Sequence, residues 1–150
     1  MLSTTAQYAL RALVKLAEEP EKTVLGRIMA QETDIPANYL SKVLLTLGNA
    51  GIVEATRGAG GGYRLSRDPS TIRLIEAVEP FDRARIKPTC LLGAPECNDE
   101  NACSAHDSWK VIRTQFVDFL ESTTLAEISS TTVRSPLYVS ATPGTIGNDP

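Results

Sequence analysis

Three cysteines and the only histidine of this chain, Cys90, Cys97, Cys103 and His106, fall within seventeen positions. Soft thiolates joined by one imidazole make a ligand set for a thiophilic metal ion or an iron–sulfur cluster. The residues around them include Gly93-Ala94-Pro95 and Asn98-Asp99-Glu100-Asn101, a polar loop with turn residues. Cysteines ordinarily hide in cores. Cysteines on a polar loop need another reason, and ligation supplies one. The spacing is Cys-x6-Cys-x5-Cys-x2-His. Structural zinc sites pair their ligands in knuckles with about two to four intervening residues, and no such pair exists here. Wider gaps suit a larger object, and three thiolates with one imidazole meet the four-ligand count of a cluster, 2Fe–2S in preference to 4Fe–4S. Plainer readings stand beside this one: zinc, bare redox thiols, or His106 as an ordinary solvent-facing residue at a helix start. Cys with His could also serve as nucleophile and base. No third orienting group or surrounding α/β pattern accompanies them, so an enzyme is not expected.

A second constellation precedes the loop. Asn38, Tyr39, Ser41 and Lys42 sit near the start of one predicted helix, and Arg57 opens the glycine-dense run Gly58-Ala59-Gly60-Gly61-Gly62, followed by Tyr63. The major groove of DNA accepts one α-helix, whose early polar side chains reach base edges. Asn38 can pair with adenine, Lys42 with phosphate or guanine, and Arg57 is placed to enter an adjacent minor groove. Gly60, Gly61 and their neighbours let the backbone approach phosphates. The run is not a nucleotide-binding P-loop, since it lacks the Lys-Ser/Thr pair and leads into a strand. A small helical domain with a solvated hairpin, or a winged helix used for protein contacts, is the rival reading.

The elements that must position these residues follow from periodicity. Ala6, Leu10, Leu13, Val14 and Ala17 recur at helical spacing over residues 4–18, and Pro20 ends that helix. A second helix is predicted from Leu25 to about Thr33. Asp34-Ile35-Pro36 reads as the start of a third, with the aspartate as cap. That helix carries Tyr39, Leu40, Val43, Leu44 and Leu47 on one side and ends at Gly51. Ile52–Thr56 and Tyr63–Leu65 then read as the strands of a hairpin. Next come a short helix from about Ser70 to Val78, Pro80 and the cysteine loop. A long helix over Ser104–Glu121 follows, presenting Trp109, Ile112, Phe116 and Phe119 as a heptad-like seam. That seam is read as a homodimer interface, against the alternative that it packs on its own domain.

The fold class is therefore mainly α with a small β-hairpin wing, a winged helix-turn-helix plus a long dimerisation helix. Residues 1–67 form the DNA-binding domain, 68–89 a short helix and connector, 90–106 the cysteine loop, 104–128 the dimerisation region and 129–150 a disordered tail rich in Ser, Thr, Pro and Gly.

Bulk properties permit this. The 150 residues carry a net charge of −3, yet residues 1–73 hold nine basic and seven acidic side chains while 74–150 hold six and eleven. The first half can face a polyanion. No apolar run approaches a membrane span, and no secretory leader is recognised at the N-terminus. An odd cysteine count then points to a reducing cytoplasm rather than a disulfide framework.

Taken together, these residues resemble the dimeric winged-helix regulators that include IscR, NsrR and RirA. The likeness covers about residues 1–128. It rests on Tyr8-Ala9-Leu10-Arg11-Ala12-Leu13, Ile35-Pro36-x-x-Tyr39-Leu40, Gly51-Ile52-Val53, the wing Arg57–Leu65, the three-cysteine loop and Phe119-Leu120-x-x-x-Thr124-Leu125-Ala126-Glu127-Ile128. The resemblance implies a homodimeric transcription factor on a pseudo-palindromic DNA duplex, with Cys90, Cys97 and Cys103 as thiolate ligands. His106 matches the histidine ligand of IscR-type proteins. In NsrR-type proteins the fourth ligand is an aspartate of the partner's first helix, and the matching place here holds Gln7. The first cysteine gap is one residue longer than in IscR and NsrR. Ser41 and Lys42 replace acidic and amide side chains of IscR, so its DNA target does not carry over.

Overall fold

The computed structural model describes residues 2–82, 90–93 and 98–129. Helix α1 (Thr4–Glu18) opens at Ser3, whose Oγ accepts the Ala6 N–H at 3.1 Å. Its inner face is Ala6, Ala9, Ala12, Leu13 and Leu16, all buried. The alanines let other backbones come close, and α1 packs against α3 (Ala37–Asn49), α4 (Leu74–Asp82) and α6 (Leu125–Ser129). It is the central strut. The buried stripe is rotated from the predicted one, since Leu10, Val14 and Ala17 lie at its margin.

Helix α2 (Gly26–Thr33) is followed by a sharp reversal into α3. Asp34 does not cap α3. It closes α2 in the left-handed conformation, with φ of 51° and its N–H bonded to the Ala30 carbonyl. Aspartate is among the few residues that tolerate that backbone. Pro36, in extended conformation, precedes α3 with no side-chain cap. Ile35 between them is buried and pins the turn to the core. Leu40, Val43, Leu44 and Leu47 form the inner face of α3, and Gly51, at φ of 72°, reverses the chain after it.

Strands β1 (Val53–Thr56) and β2 (Gly62–Leu65) pair antiparallel in the register Val53↔Leu65 to Thr56↔Gly62. Val24 adds a bridge on the outer side of β2, its N–H and C=O bonding those of Tyr63 at 2.8 and 2.9 Å. The wing is thereby tied to the chain entering α2.

Pro80 does not end the fourth helix. A 3-10 turn at Pro69–Thr71 precedes α4, which runs two residues past Pro80 to Asp82. The proline forfeits a single helical bond close to the C-terminal end. The Asp82 carboxylate accepts the Ser3 N–H at 2.9 Å, fixing that end against α1. Helix α5 (His106–Ser122) is anchored at its far end: Leu74 N–H bonds Thr123 O at 3.0 Å and Leu125 N–H bonds Ile72 O at 2.8 Å. A smaller core of Ala6, Leu74, Ile75, Val78 and Leu120 seals this junction. Ser129 closes α6, and residues 130–150 of the expected tail lie outside the described residues. Among the described residues no helix is long and apolar enough to cross a membrane.

Candidate nucleic-acid interface and cysteine loop

Packing one side of α3 leaves Asn38, Tyr39, Ser41, Lys42 and Leu45 exposed on the other. Ser41 donates its hydroxyl to Ala37 O at 2.9 Å, which leaves its oxygen as an acceptor. Tyr39 is braced from α1: its ring meets Tyr8 edge-on at 6.2 Å, and the Arg11 guanidinium lies 4.9 Å from the Tyr8 centroid. Arg11 also donates Nη1–H to Thr33 O at 3.0 Å, tying α1 to the end of α2. Sequence reasoning missed this brace. Its signal was an aromatic and a cation three residues apart on one helix.

The wing glycines divide by purpose. A Cβ on Gly61 would lie 2.3 Å from Thr56 O and 2.8 Å from Gly58 O, and one on Gly62 would lie 2.6 Å from Val24 O. Packing demands both, inside the wing at Gly61 and against the chain entering α2 at Gly62. Gly60, at φ of 74° with open space around it, is demanded by its backbone alone. Its carbonyl accepts the Thr23 hydroxyl at 2.8 Å. Tyr63 is half-buried and paired with Val24, with its ring edge against Gly26, so it is chiefly part of the wing's frame.

Charge partnering singles out a subset of cations. Lys15 pairs with Glu18 and Glu32, Lys22 with Glu19, Arg64 with Glu54 and Arg67 with Glu76. Arg73 donates to Ser122 O at 2.5 Å. Arg27 on α2, Lys42 on α3 and Arg57 at the exit of β1 have exposed side chains with no hydrogen-bond or ion-pair partner among the described residues. These three occupy the helix-turn-helix and the wing.

In the cysteine loop, Cys90 is half-buried and Cys103 exposed, while Cys97 lies outside the described residues. Asn98 Oδ1 accepts the N–H groups of Glu100 and Asn101 at 3.1 and 2.9 Å, folding the segment into a turn. His106 is 6% exposed, so it is not the solvent-facing residue that the plainer reading expects. Its Nε2 is 3.0 Å from Asp99 Oδ1, and its backbone N–H bonds Cys103 O at 3.0 Å. Lys110, one turn along α5, donates to both Asp99 oxygens at 2.8 and 3.0 Å. Lys110 and then His106 hold the Asp99 carboxyl below its ordinary range. The sequence placed His106 in the site but not this carboxylate that orients it. Among the described residues no three His, Cys, Asp or Glu side chains converge on a metal-sized space. The donor set itself, thiols with a buried imidazole, suits iron–sulfur ligation in type and number.

The expected seam on α5 is mixed. Ile112 and Phe119 are 48% and 50% exposed, Trp109 is half-buried, and Phe116 packs into the small core of its own subunit.

A family profile described as "Rrf2: Iron-dependent Transcriptional regulator" matches residues 2–131. The chain belongs to the Rrf2 family. It is thereby a DNA-binding transcriptional regulator rather than an enzyme. An HTH-type transcriptional regulator sequence of Aquifex aeolicus is 32% identical over 130 residues, covering 85% of this chain and 90% of that one. The HTH-type transcriptional regulator IscR of Vibrio vulnificus is 29% identical, covering 86% and 77% of the two chains. Among solved structures, CymR, the global cysteine regulator of B. subtilis, superimposes with a TM-score of 0.75 at 28% identity, covering 88% and 98%. T. potens IscR shares the fold, with a TM-score of 0.66 at 24% identity over 85% of each chain.

Proposed function

We propose that this protein is a homodimeric regulator that binds a pseudo-palindromic duplex through residues 36–65 and senses redox, iron or nitric oxide status through an iron–sulfur cluster. The observation that carries the DNA reading is the trio Arg27, Lys42 and Arg57, exposed basic side chains on α2, α3 and the wing without partners among the described residues. In this reading Asn38 and Ser41 reach base edges with Tyr39 beside them, and Lys42 and Arg57 meet phosphate or groove. Gly60 and Gly61 shape the wing that carries Arg57, and Tyr63 frames it. Residues 1–67 form the reading head, and 104–128 form the dimerising region through Trp109, Ile112 and Phe119.

Cys90, Cys97, Cys103 and His106 would hold the cluster, 2Fe–2S in preference to 4Fe–4S. When bound, such a group supplies one-electron exchange and sensitivity to oxidants. The chain's own part is to order the loop beside α5, with Asp99 and Lys110 orienting His106. Ordering that loop biases the relative placement of the two heads, and a shift of a few kcal/mol between dimer geometries switches operator binding.

Anaerobic reconstitution tests the cluster. Iron, sulfide and a visible chromophore that Cys97→Ala abolishes are the expected result; stoichiometric zinc with no visible absorption overturns it. The second reading, a thiol or zinc regulator without a cluster, draws on the likeness to CymR, whose Staphylococcus aureus form has been solved oxidised. It predicts a colourless protein whose DNA affinity responds to thiol oxidation.

A further inference from the structure

The outward side of α3 carries a residue that neither core packing nor solubility explains. Leu45 is 66% exposed, although Leu40, Val43, Leu44 and Leu47 already supply the buried face of the helix. Leu45 lies seven residues past Asn38, so the two sit on one line along the helix, two turns apart, with Lys42 beside that line. An apolar side chain one turn beyond an ammonium, on the face that also carries an amide, is a poor surface for water and a good match for one edge of DNA. In the major groove the apolar feature is the C5-methyl of thymine. Lys42 adjoins Leu45 on the helix, and Arg27 and Arg57 flank α3 in the chain, all without a hydrogen-bond or ion-pair partner among the described residues. This favours a polyanion over an apolar protein patch as what covers this face.

We propose that Leu45 is a specificity-determining residue that contacts a thymine methyl in the major groove; this rests on the DNA-reading function proposed above. Seven residues at 1.5 Å rise span about 10 Å, or about three base-pair steps. The thymine therefore lies about three pairs from the base that Asn38 reads. Leu45 contributes no charge, so it acts on preference at one position and leaves the electrostatic share of binding unchanged.

The experiment uses the full chain and its Leu45→Ser variant, each applied to a pool of random duplexes at physiological ionic strength. The expected result is a motif with a thymine in each half-site, at which the variant alone loses its preference while the remaining positions persist. Replacing that thymine by deoxyuridine removes only the methyl group. It weakens the wild type roughly fourfold for each half-site changed, the worth of one buried carbon, and leaves Leu45→Ser unchanged. The two proteins keep the same dependence of affinity on salt. Identical motifs from both proteins, or equal wild-type affinity for thymine and deoxyuridine duplexes, overturn the assignment of Leu45 while the DNA-reading function stands. A wild type that returns no motif overturns that function itself, and this shows before any variant is compared. The deoxyuridine arm uses wild-type protein, so the folding of the variant does not enter it.

Discussion

Gly61 offers a sharp test of how the wing is built. The Cβ of an alanine there would meet three backbone atoms of the wing itself: Thr56 O at 2.3 Å, Gly58 O at 2.8 Å and Arg57 C at 3.1 Å. None belongs to a side chain that can swing away. Restoring even a 3.0 Å separation from Thr56 O requires a shift of about 0.7 Å, which also strains the Gly61 N–H to Gly58 O bond of 3.0 Å. Such overpacking costs about 1–3 kcal/mol, or about 3–9 °C in melting temperature for a chain of this size. The shift falls on the tip that carries Arg57, so duplex affinity drops about tenfold for each 1.4 kcal/mol lost from its placement. Gly60 is the control. Its φ is 74° with nothing near a Cβ, and asparagine tolerates that backbone. Thermal melting and anisotropy titration of a labelled duplex at fixed salt should therefore separate Gly61→Ala, which loses both stability and affinity, from Gly60→Asn, whose strain is backbone alone and whose losses are smaller. A Gly61→Ala protein with the parental melting temperature and affinity would refute the packing argument.

Phe119→Asp should dissociate the dimer with little change in monomer folding, because Phe119 is half exposed in one subunit and burying such a side chain is worth about 1.5–3 kcal/mol. Phe116→Asp should instead unfold the small core of its own subunit. Sedimentation at micromolar concentration checks both, and a monomeric wild type would refute the seam. Glu127 accepts the N–H and hydroxyl of Thr124 at 2.6 and 2.7 Å, which holds its carboxyl below the ordinary value of 4.5. With the folded value depressed, its contribution is complete above pH 4.5 and is lost as pH falls through the lowered value. Acid melting curves of Glu127→Gln should lack that part of the decline; curves parallel to the wild type at every pH would refute it.

Much of this architecture was legible because its period is strong. The leucine and valine row of α3 and the glycine-flanked strands stand where the sequence puts them, while Tyr39, counted in that row, lies on the exposed side. Asp34 misled because aspartate serves equally as an N-cap and as a left-handed C-cap. Only the buried Ile35 and the reversal after α2 decide between them. Pro80 misled because a helix tolerates proline when its end is tied elsewhere, here to Ser3. The closing motif around Thr124 and Glu127 gains a reason: it is a capping box, Thr-x-x-Glu, that starts α6. In the candidate site, the donor types were legible and the burial of His106 was not. Its partner Asp99 lies seven residues away across a turn, a pairing that no helical or strand period encodes.

Helix α5 is fastened at one end and loaded at the other. Leu120 and the bonds from Thr123 and Leu125 clamp its C-terminal end to α4 and the segment before it, while His106 and the cysteine loop sit at its first turn. Seventeen residues make a rod of about 25 Å. This is a lever with a fixed fulcrum. A tilt of about 10° at the clamp moves the His106 end by about 4 Å, more than the length of a hydrogen bond. Conversely, a displacement of about 1 Å at the loop reaches the reading head as a rotation of only about 2°, spread over every contact that α1 shares with α3. In the sensing function proposed above, displacement at the loop and rotation at the head are linked by a mechanical ratio set by helix length, and shortening α5 by one turn changes that ratio without altering the proposed ligands or base-reading residues.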